Sequence, residues 1–264
     1  MEQGILGPRP DGSHGEHLWS KSFGSSLGQY GRAVAVDAAG SVVVAGEFQH
    51  TVDFGGGPLD SGGPYNGVIF VAKFDADGKH LWSKRFGGET GAYAYAVAVD
   101  PAGNILLSGQ FSPTIDFGGG ELAVPEGVGG ICLAKLGSYG QHIWSKAFAH
   151  SGFAAATSVV VDGSGNVLLG GSFDSEIDFG GVPLQPIGNP SYYEAFFVKL
   201  DEAGNHLWGR AFGDPTGAAD PLGVAADAAG NVLLAGWFSR TIWFGGDPFY
   251  TPDDGDAFVA KFAP

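Results

Sequence analysis

The chain has 264 residues, 28 acidic against 13 Lys plus Arg side chains, a formal charge of −15, 47 glycines, 20 phenylalanines and a single cysteine. Such a negative balance repels phosphate backbones and anionic headgroups, so nucleic acid is excluded as a natural partner. One cysteine excludes a disulfide within the chain, and the scarcity of charge with abundant glycine excludes long amphipathic helices and favours many short strands.

Residues 1–14 read as an N-terminal tail without a basic n-region or apolar h-region. No run approaches about 18 apolar residues, so a soluble, non-exported chain without membrane insertion is expected. Next comes His17-Leu18-Trp19-Ser20-Lys21, which returns at His80, His142 and His206 with spacings of 63, 62 and 64 residues. Self-similarity at that period marks a repeat architecture.

Residues 17–23 are predicted as a strand of type D, the last of a set of four. Within the first repeat, about 30–86, strand A ends in the turn Asp37-Ala38-Ala39-Gly40 and strand B follows. Asp opens such a turn and Gly supplies its positive φ. Strand C spans Val68 to Phe74, and a second turn, Asp75-Ala76-Asp77-Gly78, leads into strand D at His80. The pattern recurs over about 93–148, with Asp100-Pro101-Ala102-Gly103 as its first turn, and over about 155–212, with Asp162-Gly163-Ser164-Gly165. The last copy, about 220–262, turns at Asp227-Ala228-Ala229-Gly230 and ends after strand C.

One D strand at the start and a final A-B-C set predict an all-β, four-bladed β-propeller over 15–264, with four strands per blade of about 63 residues. The N-terminal strand would pair into the last blade and close the ring, removing exposed edges. A monomer is the first reading. A segment of a longer array, or half of an eight-bladed ring formed by two chains, stays open.

Segments such as Gly31-Arg32-Ala33-Val34-Ala35-Val36-Asp37-Ala38-Ala39-Gly40 and Ala94-Tyr95-Ala96-Val97-Ala98-Val99-Asp100-Pro101-Ala102-Gly103-Asn104 resemble the seven-bladed-type β-propeller repeats of bacteria. These are common in secreted or surface proteins of myxobacteria and their relatives, and NHL repeats are more distantly similar. The resemblance covers residues 15–262. It implies a propeller used as a binding scaffold, secreted or at the cell surface, and supplies no catalytic residue set. Four copies depart from the seven-bladed pattern.

The A-to-B and C-to-D turns are minimal, whereas the B-to-C connections run to roughly 17 to 21 residues, so recognition is expected on the long-loop face. Three of these connections carry Asp53, Asp116 and Asp178 before a Gly pair, and the fourth has Trp243. The carboxylates could meet a cation such as calcium or sugar hydroxyls, but the first reading is that each caps its own turn. Positions that differ between copies, Glu47, Gln110, Ser172 and Trp237 after strand B's glycine, and Tyr30, Tyr93, Ala155 and Asp220 at the start of strand A, are where an asymmetric ligand would be read. The candidate ligand-binding set is therefore Tyr30, Tyr93, Asp220, Glu47, Gln110, Trp237, Trp243, Asp53, Asp116 and Asp178.

His17, His80, His142 and His206 begin D strands at the rim and cannot converge on a metal, so no metal site is expected; no cofactor is expected either, a channel ion or calcium aside. Lys73, Lys135, Lys199 and Lys261 are expected to pair with the turn residues Asp37, Asp100, Asp162 and Asp227. Cys132 stands where other copies have Phe and is expected to be buried. The sequence thus reads as a non-catalytic scaffold recognising a glycan or a protein. A structural unit of a larger surface protein is the alternative, and a carboxylate-dependent enzyme the third reading.

Overall fold

The computed structural model describes residues 17–63, 67–87, 91–187, 192–252 and 255–264. The tail expected over 1–14 lies outside the described residues. Among these residues all regular structure is β, in antiparallel sheets compatible with a propeller.

The first repeat holds β1 (Gln29–Val36), β2 (Val42–Phe48), the short β3 (Thr51–Asp53) and β4 (Pro58–Asp60), β5 (Val68–Phe74) and β6 (His80–Phe86). The second holds β7 (Ala92–Val99), β8 (Ile105–Phe111), β9 (Thr114–Asp116), β10 (Glu121–Ala123), β11 (Gly129–Leu136) and β12 (His142–His150). In the third lie β13 (Ala154–Val161), β14 (Val167–Phe173), β15 (Glu194–Leu200) and β16 (His206–Phe212). The fourth has β17 (Ala219–Ala226), β18 (Val232–Phe238), β19 (Thr241–Ile242), β20 (Phe249–Tyr250) and β21 (Asp256–Phe262). Sheet 1 is ordered β1-β2-β5-β6, sheet 2 β7-β8-β11-β12, sheet 3 β13-β14-β15-β16, and sheet 4 only β17-β18-β21.

The sheets form because alternation along each strand supplies an apolar set to both faces. Packing then runs in chain order. Apolar clusters join sheet 1 to 2 through Val71 and Leu107, 2 to 3 through Leu133 and Leu169, and 3 to 4 through Phe197 and Leu234. No cluster joins sheet 4 to sheet 1 among the described residues. The expected closing pair is also not made: residues 17–23 enter no ladder, and β21 is paired on β18 alone. The ring expected from the sequence is therefore replaced by an open arc. Residues 17–23 pack on sheet 1, Phe23 lying against Phe54 and stacking on Phe74, and the physical reason the pair is not made is that sheet 4, packed on sheet 3 alone, does not come round to meet them.

Each turn Asp is tied down in the same way. Asp100 accepts the backbone N–H groups of Ala102 (3.0 Å) and Asn104 (2.8 Å) on Oδ1, and Gly103 takes the positive φ of 83°. Its Oδ2 faces Lys135 Nζ at 3.0 Å, with Asp37–Lys73 at 2.9 Å, Asp162–Lys199 at 3.1 Å and Asp227–Lys261 at 2.7 Å. The first three pairs are buried between sheets and the last is open to solvent.

Candidate functional site

Strand A of every repeat carries a bulge, between Gly31 and Ala33, Ala94 and Ala96, Ala155 and Ser158, and Pro221 and Gly223. The kink turns the carbonyl before it into strand B. A Cβ at Gly46, Gly109, Gly171 or Gly236 would lie 1.8–2.3 Å from the carbonyl oxygen of Tyr30, Tyr93, Ala155 or Asp220. The repeated strand B glycine is thus required by close backbone approach.

The bulge aims one extra side chain at the inner rim, beside the variable pairs Tyr30–Glu47, Tyr93–Gln110, Ala155–Ser172 and Asp220–Trp237, which sit opposite one another in register. In sheet 1, Arg32 donates through Nε to both oxygens of the buried Glu47, at 2.9 and 3.1 Å, and lies 5.2 Å from the Tyr30 ring centre. Glu47's hydrogen bond and charge raise the Arg32 pKa. In sheet 2, Tyr95 donates to Gln110 Oε1 at 2.8 Å, and its phenol is pushed up by burial and then by the charge of Glu47. Glu47 therefore acts across the joint between sheets 1 and 2.

The other joints are bridged too. Ser108 Oγ donates to Ala156 O (2.9 Å), Thr157 Oγ1 donates to Pro221 O (3.2 Å), and Val224 N donates to Ser158 Oγ (3.1 Å). Asp220 is hydrogen-bonded to Ser172; burial raises its carboxyl pKa against that bond, and its Oδ1 is buried without a hydrogen-bond partner.

Glu47, Gln110 and Asp220, together with Tyr93, thus belong to one inner rim. Tyr30 and Trp237 lie at its two ends, exposed on sheets 1 and 4. Sequence reasoning missed Arg32 and Tyr95, because a bulge residue is out of phase with strand alternation; the signal that could have found them is the strand B glycine.

Asp53, Asp116, Asp178 and Trp243 are not part of the rim. Each Asp Oδ1 caps its own glycine turn, accepting from Gly55 (2.7 Å), Gly118 (2.6 Å) and Gly180 (2.7 Å). Trp243 inverts the polarity, donating Nε1–H to Gly246 O at 2.6 Å. These turns fold back over the strand D histidines: a Cβ at Gly56, Gly119 or Gly181 would lie 2.1–2.3 Å from the rings of His80, His142 and His206. The connections on whose face recognition was expected fold back as short hairpins and pack Phe117 and Phe179 inward, against Phe86 and Phe148. Among the described residues, no three His, Cys, Asp or Glu side chains gather as metal ligands. Cys132 is buried, and burial pushes its thiol up to about 12.

Fold and rim define an all-β repeat protein of propeller-like construction. No protein-family model matches the chain. An uncharacterized WD repeat-containing protein of Acanthamoeba polyphaga mimivirus is 25% identical over 202 residues, covering 65% of this chain and 14% of that protein. This distant relative points to a repeat architecture, and the chain spans only a small part of its length. Similar solved structures include an ACO/RPE65 chimera and cobalt-substituted Synechocystis ACO, at 13% and 12% identity, each with a TM-score of 0.40. The chain is covered to 90% and 91%, and spans about half of those structures (50% and 51%). The expectation that this chain is no enzyme is not upheld, and a likeness this low assigns it no activity. No helix is long and apolar enough to cross a membrane among the described residues.

Proposed function

We propose that the four sheets are consecutive blades of one β-propeller domain over 15–264, and that the chain is a protein-interaction scaffold reading its partner at the inner rim. The observation that supports this reading is the rim itself. Each blade repeats the same bulge and glycine, yet the side chains they present differ: Arg32 with Glu47, Tyr95 with Gln110, Thr157 with Ser172, and Leu222 with Trp237. A shared framework displaying unlike groups can recognise an asymmetric surface, and Tyr93, 45% exposed between polar neighbours, is the kind of residue that anchors one. The WD repeat-containing relative favours a protein over a sugar as the partner.

The test is capture by site-specific photo-crosslinking, with the cross-linker at position 93 and, as a control, at the exposed position 126. A protein cross-linked at 93 and lost in the Arg32→Ala/Trp237→Ala variant supports the reading. Equal labelling from both positions would remove the rim from consideration. A glycan-array signal abolished by the same double variant would transfer the rim to carbohydrate.

A further inference from the structure

The two end faces of the arc carry the residue positions that its three internal joints bury. On the downstream face, Val71, Leu133 and Phe197 are fully buried at successive joints, while their register equivalent Val259 is 74% exposed. On the upstream face, Val97, Val159 and Val224 are 8%, 4% and 8% exposed, and their equivalent Val34 is 65% exposed. Contiguous apolar surface of this kind, continued by Trp243, Phe249 and Tyr250 at the same end as Val259, marks an interaction face.

The N-terminal segment shows what fits there. Trp19 Nε1 donates to Ala76 O at 2.9 Å, just as Trp82 of strand β6 donates to Ser138 O (3.0 Å) and Trp144 of β12 to Glu202 O (3.0 Å) in the next sheet. Phe23 meets Phe54 at 5.0 Å between ring centres, as Phe86 meets Phe117 (5.0 Å) and Phe148 meets Phe179 (4.8 Å). Residues 17–23 therefore lie on sheet 1 in the position of the outer strand of a preceding sheet, whose three inner strands are not beside them. At the other end, sheet 4 has three inner strands and no outer one among the described residues. Nothing lies within 4 Å of where a Cβ would stand on Gly245 or Gly246, the positions that His80, His142 and His206 cover in the other repeats.

We propose that a second copy of this chain docks head to tail, its sheet 4 packing on the upstream face of sheet 1 and its β21 edge pairing with residues 17–23. The register of the inner joints sets Lys261 opposite Trp19, Val259 opposite Lys21 and Ala257 opposite Phe23, as Lys73 faces Trp82, Val71 faces Lys84 and Ile69 faces Phe86. His17 then enters beneath Gly245 and Gly246. The segment already sits on sheet 1, so the joint requires no rearrangement of it. Head and tail are different surfaces of one repeat, so the contact is heterologous: used twice it closes a pair, and used repeatedly it extends a chain.

Lys21→Cys and Val259→Cys, prepared separately and mixed under mild oxidation, are expected to give a disulfide heterodimer well above the Lys21→Cys plus Glu126→Cys control. The buried Cys132 does not compete. In sedimentation, Val34→Asp and Val259→Asp should each weaken self-association at least about tenfold, yet form a one-to-one complex when mixed, since each keeps one intact face. A monomeric native chain at about 100 μM, a mixture of the two Asp variants that stays monomeric, or a Lys21→Cys/Val259→Cys double variant that closes within one chain would each overturn the proposal. The first result would leave the faces to further repeats of a longer polypeptide, and the last to intramolecular closure.

Discussion

The same Asp–Lys pair occurs four times, with only its surroundings changing. At Asp100, burial pushes the carboxyl up, and the Asn104 amide, Lys135 and the Asn104 N–H outweigh it, leaving the pKa below 3.8. Asp37 and Asp162 are held low in the same manner. Removing the cation strands a buried carboxylate, so Lys135→Met should cost about 3 kcal/mol in chemical denaturation. Lys261→Met should cost far less, because water already reaches that pair. A folded pKa below the unfolded one means the unfolded chain binds more protons as pH falls. The pairs' contribution is therefore complete above about pH 4 and lost as pH drops through the folded values. The urea midpoint should fall steeply below about pH 4, and a midpoint flat down to pH 2 would contradict the assignment. His150 acts in another window. Burial lowers its pKa against the Gly152 carbonyl and Asp174, so its protonation favours the unfolded chain as pH falls below about 6.5, and stability should decline there before the carboxylates titrate.

At the scale of the element, the deciding feature is the bulge on strand A. Gly109→Ala would set a methyl group against Tyr93 O, a backbone atom that cannot swing away, and should cost about 2 kcal/mol or more with loss of the rim geometry. Gly57→Ala, at a hairpin tip with open space around it, is limited to the strain of its φ of 104°. Thermal unfolding of the two variants compares them directly; equal losses would mean that the bulge does not bind the two strands. Much at this level was legible in the sequence. The Asp-x-x-Gly turns, strand C and the D strand Trp all occupy their expected positions, because local turn chemistry and period-2 alternation need no tertiary information. Arg32 and Tyr95 were not legible, since a bulge shifts the alternation by one residue. That Phe117 and Phe179 pack against the D strand Phe residues was not legible in the loop lengths, because only the divergence of neighbouring sheets creates the gap that they fill.

At the scale of the whole molecule, the stability of a linear stack is distributed among its nearest-neighbour joints. Sheets 2 and 3 are covered on both sides, and sheets 1 and 4 on one. Native-state hydrogen exchange at a concentration that keeps the chain monomeric should show β8, β11, β14 and β15 as the slowest-exchanging strands and β21 as the fastest of the long ones. Uniform protection from β2 to β21 would instead indicate a closed ring. By itself the sequence determined the repeat, the turns, the strand order within each sheet and the pairing of Asp with Lys, since all of these depend on residues close together in the chain or on a spacing repeated four times. Only the tertiary structure decided that the ends stay apart, that the glycine-turn aspartates are caps and that an inner rim exists. Those features depend on which apolar faces meet, and a repeat that offers every sheet the same two faces does not encode where the stack begins, ends or closes.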